Sequence, residues 1–169
     1  KIKLSCDCLG VSGGWTPAVH LFTQSGGKLK FREDDQVFIP NKYPSDQLCI
    51  GSCNGDFSFE EITTNTTLSV KKFLNINNND YKTFEIITGI NKSKRNIWLL
   101  PSDKILGKTK SFVDFQNDAT AKDIKLALRE GVRSIEHVKR YTTTGMGTDQ
   151  GKLGNMHALG IISETAGTK

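Results

Sequence analysis

The sequence predicts an α+β chain made of two modules, the C-terminal remnant of an α/β domain followed by a small, mostly helical one. Three observations carry this prediction. Ile2, Leu4, Cys6 and Cys8 alternate with the period of a half-buried strand. Phe59, Ile62, Thr66, Val70 and Phe73, and later Ile124, Leu126, Ala127 and Leu128, recur at helical spacing. Between these regions the composition shifts, with nine Lys or Arg against three acids from Lys71 to Lys110. The 169 residues, 36% hydrophobic, suffice for two small cores. The expected boundaries are 1 to 74 for the α/β remnant, 75 to 111 for a basic linker and 112 to 169 for the helical module.

In chain order, "KLSCDCLGVSG" reads as a strand running into a Gly-Gly turn, and Trp15-Thr16-Pro17 opens an extended or turning stretch. A hairpin is expected around Ser25-Gly26-Gly27, and "QLCIGSCNG" reads as a second strand ending in small residues. A helix of about four turns follows it. Strand, small-residue turn and helix form the arrangement in which a helix N-terminus approaches a phosphate, which makes Gly51, Asn54 and Gly55 candidate cofactor contacts. No G-x-G-x-x-G opens a helix, so the expectation is a fragment whose nucleotide-binding beginning lies upstream. The connector contains "YKTFEIITGI", which leans toward a strand. In the last module Thr120 caps one helix and Gly131 ends it. Ser134 caps the next, with Ile135, Val138 and Tyr141 facing inward, and a third begins near Thr148-Asp149 and carries Met156, Leu159, Ile161 and Ile162.

Charge and cysteine usage narrow the classes. The net charge of +5 is concentrated in the connector, where few aromatics and many Asn suit a solvated segment better than a nucleic-acid surface. On the second helix of the last module, Glu136 interrupts Arg133, Lys139 and Arg140, so no nucleic-acid partner is expected. No apolar run reaches the roughly 20 residues of a membrane span, and no secretory signal is visible, so the expectation is a soluble, cytoplasmic protein with reduced thiols and without a membrane partner. The Asn65-Thr66-Thr67 and Asn91-Lys92-Ser93 acceptor patterns carry little meaning in that setting. Cys6-x-Cys8 and Cys49-x-x-x-Cys53 lack zinc-ribbon spacing, and the thiols read as small buried hydrophobes. His20, His137 and His157 form no nucleophile or metal arrangement, and G-x-S-x-G and H-E-x-x-H are absent, so no catalytic residue is assigned.

The most unusual stretch is "TTTGMGTDQGKLGN", residues 142 to 155, with four glycines and three consecutive threonines. It connects two helices and is expected to end at a helix N-terminus, where backbone N–H groups and the helix dipole favour an anion. Thr143, Thr144, Gly145, Met146, Gly147, Thr148, Gln150, Gly151 and Lys152 are the resulting candidates for a phosphate cradle, with Lys152 supplying the full charge. The alternative leaves the glycines to a tight turn, Asp149 to a helix cap and Lys152 to solvent. Local chemistry leaves both open.

"CDCLGVSGGWTPAVHLFTQSGGKLKF" and "SFVDFQNDATAKDIKLALREGVRSIEHVKRYTTTGMGTDQGK" closely resemble the alpha-subunit family of heterotetrameric sarcosine oxidases. The resemblance implies an oxidoreductase acting on CH–NH donors, in which sarcosine is demethylated to glycine with peroxide formed and the one-carbon unit passed to tetrahydrofolate. It implies FMN at the border with the beta subunit, NAD and tetrahydrofolate mostly in parts of the parent outside this chain, and the beta and other subunits as partners. The remnant in the first module would then be the end of a dinucleotide-binding domain, and the isolated chain would not be catalytically competent. More remotely, the last module resembles a ferredoxin-like [2Fe-2S] domain whose ligands follow C-x-C and "GMGxCQGxxC". That pattern places Asp114, Gln116, Asp149 and Gly154 at the four thiolate positions. The implied fold is therefore retained without its cluster, and the alternatives are a small cluster-binding redox module on the real cysteines or a basic nucleic-acid-binding module.

The metal assignment is none. Elemental analysis of the purified chain is expected to find no stoichiometric iron or zinc, and one metal ion per chain would contradict it.

Overall fold

The computed structural model describes residues 4 to 10, 14 to 44, 46 to 77, 97 to 100, 108 and 110 to 168. The chain divides into two compact units, Lys1–Asn96 and Ile97–Lys169. The expected "YKTFEIITGI" strand lies outside the described residues.

In the first unit a short helix α1, His20–Gln24, precedes a hairpin of β1, Lys28–Arg32, and β2, Val37–Lys42. The strands pair antiparallel with Phe31 opposite Phe38 and Arg32 opposite Val37, and a bulge falls between Lys28 and Leu29. The hairpin turn is therefore Glu33 to Gln36, with Gln36 at φ +55°, rather than the expected Ser25-Gly26-Gly27. That triplet instead ends α1. Phe22 forces this arrangement: it is buried, its ring packs edge-on against Tyr43 at 5.1 Å, and an ideal Cβ on Gly27 would sit 2.4 Å from its Cζ. Only glycine permits β1 to start so close to the ring.

Two further expectations are corrected here. Residues 4 to 10 form no strand and Cys6 and Cys8 are exposed, so their alternation does not mark a buried face. Gln47 to Ile50 are likewise not a strand; they lead into a 3₁₀ turn, Gly51–Asn54. Period-2 alternation specifies a strand only when a partner strand exists to satisfy its backbone, and among the described residues neither segment has one.

The expected long helix is present as α2, Phe59–Phe73. Ser58 and Glu61 close a capping box, Glu60 and Glu61 occupy the first turn, and Lys71 and Lys72 the last, all in favourable dipole positions. Ile62, Thr66 and Val70 are half-buried, whereas Phe59 and Phe73 are exposed.

The second unit begins with residues that the sequence reading placed in the connector: Trp98 and Leu99 pack on its core. A small hairpin of β3, Phe112–Asp114, and β4, Ala119–Thr120, was missed as a strand pair and precedes three helices. α3, Ala121–Arg129, starts at Thr120 through a capping box with Asp123 and ends before Gly131 at φ +91°. α4 is Ile135–Thr142 and α5 is Asn155–Ala166. Ala121, Ile124, Ala127, Val138, Ala158 and Ile161 form the interior. Tyr141, expected inward, is exposed, with its hydroxyl donated to Glu130. α5 starts six residues later than Asp149 because residues 148 to 154 are a run of turns. No helix of the described residues is long and apolar enough to cross a membrane.

Trp98 lies flat over α5 at Gly160, where an ideal Cβ would be 2.1 Å from the indole, and it meets His157 edge-on at 5.9 Å. Gly160→Ala gains about 1 kcal/mol of helix propensity but forces the indole away, an overpacking cost of about 1–3 kcal/mol. The expected outcome is a net loss in urea stability with red-shifted tryptophan emission, readable because Trp15 is already exposed.

Candidate functional site

The stretch from 142 to 155 ends α4 and then wraps around β3. Each threonine has a distinct task. Thr142 donates its hydroxyl to Val138 O at 2.8 Å and shares a 2.7 Å contact with the Thr144 hydroxyl. Thr143 takes the left-handed conformation at φ 60°, and its hydroxyl turns back to Thr142 O at 2.6 Å. Thr144 is 0% exposed. The threonine run thus terminates the helix internally.

The centre of the loop is a carboxylate from another element. Asp114, 6% exposed at the end of β3, accepts the Gly145 N–H at 2.7 Å, the Gln116 N–H at 2.8 Å and the Asn117 N–H at 3.0 Å. Asn117 adds a second tie by donating its side-chain amide to Thr143 O at 3.0 Å. Burial pushes the Asp114 carboxyl up, but these N–H groups overcome that effect and hold it below its ordinary 3.8. Of the donors expected to cradle an external anion, the Gly145 N–H is already taken by this internal one.

Two more acceptors complete the loop. Gln116 Oε1 accepts the Thr148 hydroxyl at 3.0 Å and the Asp149 N–H at 3.4 Å. Asp149 accepts from the N–H groups of Gly151 at 3.1 Å and Leu153 at 3.3 Å, organising the turns before α5 instead of capping the helix. The Asn155 side chain fills the middle: ideal Cβ atoms on Gly145 and Gly151 would approach it to 2.1 and 2.2 Å, so both glycines are sterically required.

The candidate residues therefore separate into two sets. Thr144, Gly145 and Gly151 are buried, and the Thr143 hydroxyl and the N–H groups of Met146 and Gln150 are engaged within the loop. Facing outward are Met146, Thr148, Gln150 and Lys152, with Gly147 half-buried; the Gly147 and Thr148 N–H groups make no hydrogen bond among the described residues. In the first unit, Gly51 O accepts from Asp56 N–H, Asn54 Oδ1 from the Tyr43 hydroxyl at 3.2 Å, and Gly55 O from Arg32 at 2.7 Å. An ideal Cβ on Gly55 would be 2.8 Å from Ile39, so this glycine serves close packing. The sequence reading assigned no structural role to Asn117 or Asn155; only the Asp-x-x-Asn turn pattern of "DFQN" signals the former.

Of Asp114, Gln116, Asp149 and Gly154, the positions that the ferredoxin-like resemblance implies for thiolates, Gln116 Oε1 accepts the Asp149 N–H and Gly154 lies beside Asp114. Gly154 has closed against β3, where an ideal Cβ would be 2.8 Å from Val113 O and 3.9 Å from Asp114 Cα. A side chain at this position does not fit the backbone as folded.

Asp114→Asn keeps the volume but turns an amide donor toward backbone donors, and is expected to cost about 1.5–3 kcal/mol in urea unfolding followed at Trp98. Asp114 and Asp123 both have folded carboxyls below their ordinary 3.8, the latter chiefly through the Thr120 hydroxyl. Their stabilisation is complete above that value and is lost as pH falls through the lower folded-state values. The variant should show a shallower acid-induced loss than the parent.

Residues 108–169 match the sarcosine oxidase A3 domain. The chain is 32% identical to the sarcosine oxidase subunit alpha of Corynebacterium sp. (strain P-1) and 34% identical to that of Rhizobium meliloti (strain 1021), each over 175 aligned positions. These alignments cover 98% and 97% of this chain and 18% and 17% of the relatives, so the chain spans less than a fifth of their length. A third relative, from Corynebacterium sp. (strain U-96), is 31% identical over 98% of the chain. The chain belongs to the sarcosine oxidase alpha-subunit family, and its C-terminal part matches the A3 domain.

Proposed function

We propose that this chain is a non-catalytic part of a heteromeric sarcosine oxidase, contributing structure and one wall of an FMN site at the border with the beta subunit. The observation that carries the first half is the similarity to alpha subunits along nearly the whole chain. In this reading the whole enzyme demethylates sarcosine to glycine with peroxide formed and passes the one-carbon unit to tetrahydrofolate. The first unit is the closing end of a dinucleotide-binding domain. The second is a ferredoxin-like scaffold whose cluster positions hold Asp114, Gln116, Asp149 and Gly154.

The loop supports an FMN contact at its outer rim only. Its interior already holds the Asp114 carboxylate, and a phosphate placed beside it would be repelled. The rim presents the Gly147 and Thr148 N–H groups and the Lys152 ammonium, which pairs with no acid among the described residues. These fit an anionic group at the surface. Bound FMN would supply electron transfer between the substrate-oxidising flavin and oxygen; the residues of this chain orient it and balance its charge.

In the assembled complex, Lys152→Met is expected to weaken FMN retention about tenfold while leaving FAD in place. FMN retained at parental affinity would leave the loop a purely structural element.

A further inference from the structure

The outer side of the second unit carries apolar side chains that neither its core nor the proposed flavin contact uses. Phe115, Met146 and Leu153 are 76%, 60% and 78% exposed. Singly such residues are ordinary, but here the fold gathers them. The pairing of β3 with β4 is irregular between Phe112 and Asp114, so Val113 and Asp114 are both buried while Phe112 and Phe115 are exposed on either side of them. The two rings meet at 6.1 Å. Gln116, next to Phe115, lies against Gly147, where an ideal Cβ would be 2.2 Å from its Oε1, so the turn of the hairpin and the loop carrying Met146 touch. Gly154 closes on Val113 O, which places Leu153 and Phe112 one residue from a second contact between the same segments. Asp149 joins the two contacts by giving its N–H to Gln116 and accepting that of Leu153.

The border of this patch is basic. Lys110 sets its ammonium 5.8 Å from the centre of the Phe112 ring, Lys108 is exposed, and Lys152 directly precedes Leu153. Among the described residues of 108–118 and 143–155, Asp118 is the exposed acid, since Asp114 is buried and Asp149 is half-buried and occupied within the loop. We propose that Phe112, Phe115, Met146 and Leu153 seat the beta subunit of the oxidase through a surface that is apolar at its centre and acidic at its edge. This rests on the reading that the loop rim borders that subunit, and the chain links the two: Met146 precedes the Gly147 and Thr148 N–H groups, and Leu153 follows Lys152. A protein that covers the apolar side chains also closes the rim from water. An anion held there then meets its donors at a lower effective dielectric, where each counts for more. Exposed aromatic and Met side chains within a charged border have the composition of a contact between subunits. The lysines favour an acidic counterpart over a second copy of this chain, whose own basic border would be repelled.

The test uses the full alpha subunit and the beta subunit, expressed separately and mixed without added FMN, with association followed by sedimentation. Phe115→Ser combined with Leu153→Ser is expected to weaken association at least about tenfold. The urea midpoint of the alpha subunit alone should stay unchanged, because both side chains are already exposed. Lys110→Glu should weaken association at low salt and have little effect at high salt. Since FMN is left out, failure here is distinct from failure of Lys152→Met to release FMN. Unchanged association in the double variant would overturn the proposal. So would a fall in the stability of the alpha subunit alone, which would set the patch against another part of its own chain, or pairing of alpha subunits with one another through it.

Discussion

The second unit is organised around one ionised carboxylate removed from water. Asp114 leaves β3 with its side chain turned into a ring of backbone N–H groups, two from its own hairpin turn and one from the loop beyond α4. A buried charge of this kind is tolerable only when its lone pairs are filled, and buried N–H groups are tolerable only when they have an acceptor. Each requirement meets the other. The α4–α5 connection, with its glycines and left-handed residues, has little apolar surface of its own to hold it in place. It follows the anion, and the exit direction of α4 and the entry direction of α5 follow the loop.

Small side chains make that arrangement possible. Gly145 and Gly151 leave the space that Asn155 fills, Gly154 lets α5 approach the β3 backbone, and Gly160 gives Trp98 a flat seat on the same helix. The interior built on this frame is modest, mainly Ile124, Val138 and Ile161 with alanines between them. Here shape complementarity compensates for limited apolar bulk, since close-packed interiors penalise both gaps and excess volume. The first unit uses a related device. Arg32 reaches from β1 to Asp35 and to the Gly55 carbonyl, joining the hairpin to the turn before α2, while that helix depends on its caps and charges and buries no side chain fully.

A loop that satisfies itself internally has consequences for recognition. Glycine-rich turns before helices are good anion sites when their N–H groups point outward. In this chain Asp114, Gln116 and Asp149 take the N–H groups of Gly145, Asp149, Gly151 and Leu153, loop carbonyls take those of Met146, Gln150 and Lys152, and the remaining donors lie on the Gly147–Thr148 side with Lys152 exposed. The electrostatic character of the surface is set by what the interior has already taken up. The rim is a preformed edge, so binding there would need little ordering.

Much of the local structure was legible in the sequence. The spacing of Phe59 to Phe73 gave α2, Thr120 and Gly131 bracketed α3, and the threonine run stopped α4, because caps, helical periodicity and left-handed stops act within a few residues. The alternation of Leu4, Cys6 and Cys8 misled for the complementary reason: a strand exists only with a partner, and no local pattern shows whether one is present. The purpose of the 142 to 155 loop was hidden in the same way. Its composition announced a site for an anion, and composition alone cannot say whose. The bonds from Asp114 to Gly145 and from Gln116 to Thr148 join residues 31 and 32 positions apart. Which polar groups turn inward is decided when the chain closes and water leaves, so the sequence by itself determined the helices, their ends and the donors available, and the tertiary structure decided that the first anion those donors meet is the protein's own.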